Sequence, residues 1–169
     1  MVERFTREAK NLYPGRYKRQ ALRFARAEPE DTEALRRLAR ASEAHWGYDE
    51  AFMENFDAGF NVTEDFIRRN PVYAAGERGC PAAFWGIRQD RDAWELEYFY
   101  VAEERLGRGL GKQMWEHMTG WCGKQEICRI HFVTSPQAVG FYRKMGAVRD
   151  GETRSPVDGR PVPHFVYDL

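Results

Sequence analysis

The strongest constraint on this chain's fold lies between Ala93 and Leu110, where the hydrophobic period changes. From Ala93 to Val101, Trp94, Leu96, Tyr98 and Tyr100 alternate with Glu95, Glu97, Phe99 and Val101. This is the two-residue period of a strand, in residues that favour strands. From Leu110 onward, Met114, Met118 and Trp121 recur at helical spacing. Gly120 and Gly123 weaken that run, so the helix is expected to end between Trp121 and Gln125. Between the two periods, Leu106-Gly107-Arg108-Gly109-Leu110-Gly111 must turn a strand into a helix.

The rest of the chain supplies matching elements. Ala21 to Ala27 reads as a first strand. Asp31 precedes a helical run from Thr32 whose apolar residues at 34, 35, 38, 39 and 41 share one face, with Pro29 and acids at its start. Gly47 interrupts it. A second helix follows from Asp49 to about Phe56, and Thr63 caps a short third one that Asn70-Pro71 ends. Val72–Ala75 and Ala82–Arg88 read as strands, with turns at Gly76–Gly79 and Gln89–Asp92. Ile127–Thr134 is a further strand. Ser135-Pro136 opens a helix that runs to Met145, with Gly146 in the left-handed C-terminal position. Val148–Thr153 and Pro163–Tyr167 are the last strands, joined about Asp158-Gly159. The order β-α-α-α-β-β-β-α-β-α-β-β predicts a mixed α/β sheet. No internal repeat or low-complexity tract interrupts it.

Length and charge narrow the function. At 169 residues the chain suits one domain with one core, and 43% hydrophobic with 31% charged residues is ordinary for a soluble protein. Lys+Arg and Asp+Glu balance at 26 each, so nucleic acid is not expected as a main partner. The balance is uneven along the chain. Residues 1–20 hold six basic and two acidic residues and read as a basic extension to a domain over 21–169. No apolar run approaches the roughly 20 residues that span a bilayer, and the first residues lack an apolar signal segment, so a cytoplasmic location with no membrane partner is expected. Cys80, Cys122 and Cys128 form no CxxC pair and read as reduced, buried thiols. His45, His117, His131 and His164 show no metal-ligand spacing, and no metal is expected. His117 is placed on the exposed side of its helix.

The glycine turn carries the chemistry. Glycines leave backbone N–H groups unobstructed, and a helix start adds unpaired donors and partial positive charge. The arrangement suits a diphosphate, and Arg108 could add charge-assisted bonds. A cluster of glycines is equally a tight strand-to-helix turn. It is no dinucleotide fingerprint, because the sixth position from Gly107 is Lys112 and from Gly109 is Met114. Nor does a GKS or GKT follow, so it is no nucleotide P-loop.

At Leu106 to Gly111 the sequence resembles the Gln/Arg-x-x-Gly-x-Gly/Ala signature of the GCN5-related N-acetyltransferase superfamily. Gly109 and Gly111 fill the two small positions, and Leu106 replaces the usual Gln or Arg. Further on, Ser135-Pro136-Gln137-Ala138-Val139-Gly140-Phe141-Tyr142-Arg143-Lys144-Met145-Gly146-Ala147 is similar to the family's Asn-x-x-Ala-x-x-Phe-Tyr-x-Lys-x-Gly-Phe. Ser135 and Ala147 depart from it. His45-Trp46-Gly47-Tyr48 with the helix after it resembles the acceptor-side helices of some bacterial small-substrate members.

The resemblance implies one mixed, mostly antiparallel sheet of six to seven strands flanked by helices, its fourth and fifth strands splayed. It implies acetyl-CoA (coenzyme A) as cofactor and N-acetylation of a small-molecule or peptide amine by a homodimer. The pantetheine arm would lie along Phe99 and Val101. The diphosphate would lie on Leu106, Gly107, Arg108, Gly109, Leu110, Gly111 and Lys112, with Ser135, Ala138, Phe141 and Lys144 completing the cofactor site. Tyr142 would protonate the departing thiolate, although it also lies on a core-like stripe with 138 and 145. Glu97, Glu95 or water would take the proton of the amine. The two glutamates share a face if the strand is regular. His45, Trp46 and Tyr48 would face the acceptor. A non-catalytic acyl-CoA-binding module is the alternative that the departures at Leu106 and Ser135 leave open.

Overall fold

The computed structural model describes residues 22–169. The basic extension and the expected start of the first strand at Ala21 lie outside them. Among the described residues, seven strands form one sheet: β1 (Phe24–Arg26), β2 (Val72–Glu77), β3 (Cys80–Asp90), β4 (Ala93–Val101), β5 (Arg129–Val133), β6 (Val148–Arg154) and β7 (Pro161–Asp168), in the spatial order β1-β2-β3-β4-β5-β7-β6. Every neighbouring pair is antiparallel except β4 and β5.

Among the described residues, five α-helices flank it: α1 (Thr32–His45), α2 (Glu50–Gly59), α3 (Glu64–Arg69), α4 (Leu110–Lys124) and α5 (Val139–Lys144). Their starts follow the expected capping chemistry. Asp49 accepts the N–H of Phe52 at 2.8 Å, and Thr63 accepts that of Phe66 at 3.1 Å. Gly146 follows α5 with φ +93°, the left-handed stop. Pro136 begins the last helical stretch as a short 3₁₀ turn, so α5 proper starts only at Val139. The Gly76 turn is shorter than expected, since β2 runs through Glu77.

Two cores lie on the two faces of the sheet. Phe84 and Trp85, adjacent on β3, are both 0% exposed because they point to opposite sides. Trp85 joins Leu96, Met114, Met118, Phe132 and Phe165 under α4 and α5. Phe84 joins Leu35, Leu38, Phe52, Ile67 and Tyr98 under α1, α2 and α3. With both faces covered, β3 is buried without a break from Ala82 to Ile87. Truncating Trp85 to Ala would cost about 3–5 kcal/mol.

The structure differs from two of the sequence expectations. His117 is not on an exposed side. It accepts the Trp85 indole N–H at 3.0 Å and stacks on Phe24, because β1 and β2 reach across to cover that flank of α4. Of the three free thiols only Cys122 is buried; Cys80 lies at an exposed hairpin and Cys128 just before β5.

The functional consequence of the topology lies between β4 and β5. Their parallel pairing covers only Trp94 with Ile130 and Glu95 with His131. Beyond Glu95 the strands part. The strand is also not regular there. Gly86 pairs with Tyr98 and Ile87 with Leu96, so Glu97 is an extra residue that bends β4 away from its neighbour.

Candidate functional site

The gap between β4 and β5 opens into a cleft of about 970 Å³. Its walls come from the end of α1 and the loop after it, from β4, from the glycine turn, from the β5–α5 connection and from the β6–β7 hairpin.

The floor is the free edge of β4. Ala102 donates its N–H to Ala82 at 2.8 Å. Antiparallel pairs alternate, so the peptide groups of Phe99 and Val101 face away from β3, toward the gap. Ser42 of α1 donates its hydroxyl to the Val101 carbonyl at 2.9 Å.

The glycine turn stands at one side of the cleft. Gly107 and Gly109 have φ of +68° and +86°, values that an L side chain adopts only with strain. A Cβ on either would meet nothing within 4 Å. The first N–H of α4 to bond back is that of Gln113, to Gly109 at 3.1 Å. The N–H groups from Gly107 to Lys112 have no backbone acceptor among the described residues. Unobstructed donors at the start of a 15-residue helix fit a diphosphate. Gly111 has a different reason to be small: a Cβ there would come within 3.2 Å of the Phe141 ring.

Most of the sequence-predicted residues meet on this one cleft. Glu95, Glu97, Phe99, Val101, Leu106, Gly107, Gly109, Gly111, Lys112, Ser135, Ala138, Phe141, Tyr142, Lys144, His45, Trp46 and Tyr48 all line it. Arg108 does not. Leu110 faces the core at 4% exposure, so only its backbone can serve the turn.

Tyr142 is buried among Phe132, Phe99 and Trp115, with ring centroids 4.6, 5.8 and 5.8 Å away. Burial pushes its phenol well above the ordinary 10, only partly offset by a hydrogen bond with Thr134. It therefore keeps its proton at neutral pH. From β3, Arg88 donates to Glu95 of β4 at 2.7 Å and to Glu97 at 3.0 Å. Both carboxylates reach one guanidinium although the bulge breaks the regular alternation of the strand. Burial raises Glu97 above the ordinary carboxylate range; Arg88 pulls it down, and the charge of Glu95 pushes it up.

On the facing wall, His45 pairs with Glu103 at 3.1 Å and packs edge-on against Trp46, which is 40% exposed. Tyr48 stacks on Phe52 at 4.1 Å, under the guanidinium of Arg160 at 4.3 Å. Glu43, which the sequence did not single out, also lines the cleft. Burial raises its carboxyl, while the Tyr100 hydroxyl and the charge of Arg160 lower it. Nothing in the local sequence marks Glu43, Arg88 or Arg160, because each acts through a partner on another element or across a hairpin.

The fold of this chain is similar to that of several solved acetyltransferases. One is the PaiA N-acetyltransferase of Thermoplasma acidophilum in complex with coenzyme A, with TM-score 0.69 and 18% identity over 88% of this chain and 99% of that one. Another is a GCN5-related N-acetyltransferase from Rhodopseudomonas palustris, with TM-score 0.71 and 18% identity over 88% and 96%. A third is the ribosomal-protein-S18-alanine N-acetyltransferase of Escherichia coli, with TM-score 0.65 and 14% identity over 87% and 93%. No curated protein matches the chain by sequence. Residues 32–147 match the acetyltransferase (GNAT) family model. The chain belongs to that family, whose members take their acetyl group from acetyl-CoA. Among the described residues, no helix is long and apolar enough to cross a membrane.

Proposed function

We propose that this chain transfers the acetyl group of acetyl-CoA to a primary amine, with donor and acceptor bound together. The observation that carries the reading is that the free edge of β4, the unbonded N–H groups of the glycine turn, Tyr142 and Glu97 share one cleft.

When bound, the thioester supplies an activated acetyl carbon and a thiol leaving group. The N–H groups of Gly107 to Lys112 hold the diphosphate, with Lys112 adding charge and Ser135, Ala138, Phe141 and Lys144 flanking the cofactor. The peptide groups of Phe99 and Val101 align the pantetheine arm as an added strand. Glu97, directly or through water, accepts a proton from the acceptor amine, and Arg88 and Glu95 fix its position. A carboxyl raised above its ordinary value is a better match to that task than an ordinary one. The Tyr142 hydroxyl gives its proton to the leaving sulfur. His45, Trp46, Tyr48 and Glu43 form the acceptor wall.

The first test is thermal melting with acetyl-CoA, coenzyme A and NADH. A ligand at about 100 times its dissociation constant stabilises by roughly 2.7 kcal/mol, a rise of about 5–10 °C for this chain length. The coenzyme A pair alone should give it. Thiol release with a panel of amines then separates an enzyme from an acyl-CoA-binding module. A rise without release for any amine would favour the module.

A further inference from the structure

Outside the cleft, one cluster of side chains is assembled by the topology alone. His131 on β5 and His164 on β7 are diagonal neighbours across an antiparallel pair in which His131 opposes Val166 and Val133 opposes His164. Their ring centroids lie 5.7 Å apart, inclined at 34°. The third member comes from β6. Arg149 pairs with Phe165 and Gly151 with His164, so Asp150 is the extra residue of a bulge. Its carboxylate contacts Nδ1 of His164. One atom from each of the three side chains lies within 4.8 Å of the others.

We propose that His131, His164 and Asp150 bind a divalent transition-metal cation of the zinc class, clamping β5, β7 and β6 together. Two imidazoles and one carboxylate are a donor set for zinc or nickel, not for the hard cations magnesium and calcium, which take oxygen ligands. Tetrahedral zinc with ligands at about 2.0–2.2 Å needs donor atoms roughly 3.4 Å apart, so the widest separation in the cluster has to close by at most about 1.4 Å, while the touching Asp150 carboxylate and His164 Nδ1 have to part to admit the ion. Asp150 is exposed and free to make that movement. The nearby charges are already matched: Arg129 pairs with Asp168, and Glu95, the register partner of His131, pairs with Arg88. Three protein ligands leave a position for water or another donor. The benefit falls on β6, an edge strand exposed along its whole length. A metal joining it to β5 through β7 would hold it against fraying.

The test is a zinc titration of the full chain carrying Cys80→Ser and Cys128→Ser, since those exposed thiols could bind zinc themselves. A chromophoric indicator reports the competition. One zinc per chain is expected, with magnesium giving no response. Zinc at about 100 times its dissociation constant should raise the melting temperature by about 5–10 °C. Asp150→Asn and His164→Ala should each weaken binding at least as much as the roughly 10- to 100-fold that loss of an outer partner brings. Melting temperatures without metal, and the response to coenzyme A, show whether each variant is folded. Because Asp150 is exposed, its variant keeps the test sound if a histidine variant unfolds. No zinc response in the parent chain, or binding undiminished in both folded variants, would overturn the proposal and leave His164 and Asp150 as a surface hydrogen-bonded pair.

Discussion

Tyr100 donates its phenolic hydrogen to Oε1 of Glu43 at 2.8 Å, tying β4 to α1 at the wall of the cleft. Burial still leaves the Glu43 carboxyl above its ordinary value of 4.5. A raised carboxyl folds most favourably when protonated, so its contribution to stability is present below about pH 4.5 and lost as pH rises through the folded value. Glu43→Gln keeps an oxygen for Tyr100 and removes the buried charge. At pH 7 the variant should melt at or above the temperature of the parent chain, and the gap should close as pH falls toward 4.5. If Glu43 serves the acceptor, kcat/KM for the amine should fall by about tenfold or more, while the coenzyme A response stays unchanged. Melting curves against pH, with steady-state kinetics, check both.

Tyr142→Phe separates binding from turnover. The ring packing among Phe132 and Trp115 survives, and the lost hydrogen bond costs about 0.5–1.5 kcal/mol. The coenzyme A melting shift should persist, whereas kcat should drop by about 100-fold or more, the scale of a lost proton donor. Since burial holds the phenol well above its ordinary 10, the kcat profile of the parent chain should show no alkaline fall from this group up to pH 10.

The glycines of the turn should fail in different ways. Gly109→Ala meets no neighbour but forces a Cβ into φ +86°, at a cost of about 1–2 kcal/mol. Gly111→Val instead drives a side chain into the Phe141 ring, which a Cβ alone would already approach to 3.2 Å. The first variant should mainly lower the melting temperature. The second should mainly weaken coenzyme A binding, because Phe141 lines the cleft. Paired melting and binding titrations distinguish them, and equal loss of both in each variant would contradict the assignment.

The elements around this turn were legible because the change from Trp94–Tyr100 to Met114–Met118 alternates period without ambiguity. The order of strands along the chain was equally plain. The bulge at Glu97 was not, since alternation of residue types continues through it and only the partner register on β3 reveals the extra residue. Glu43 was invisible for a similar reason: its defining partner, Tyr100, lies 57 residues away. His131 and His164 look unrelated in sequence because β7 inserts between β5 and β6. Local rules read what neighbours in sequence decide, and the missed residues are those whose environment is set by strand order.

Glu97 gives the sharpest kinetic prediction. If its carboxylate accepts the amine proton, it must be ionised, so kcat/KM rises with pH through its own pKa. Burial and the neighbouring charge of Glu95 hold that value above the ordinary 4.5, against the pull of Arg88. The acid limb of the profile should therefore lie above the ordinary carboxylate range. Glu97→Gln should remove that limb and lower kcat by about 100-fold. Arg88 keeps Glu95 at 2.7 Å, so the fold at the bulge is retained. Replacing Arg88 with Met acts on the same limb in the opposite sense from charge support: without the guanidinium, Glu97 should titrate higher still, and the limb should move to higher pH. Profiles for the parent chain and both variants, taken with one amine well below its own pKa and one nearer to it, separate enzyme titration from acceptor titration. A limb that follows the amine and ignores both substitutions would assign the proton to water.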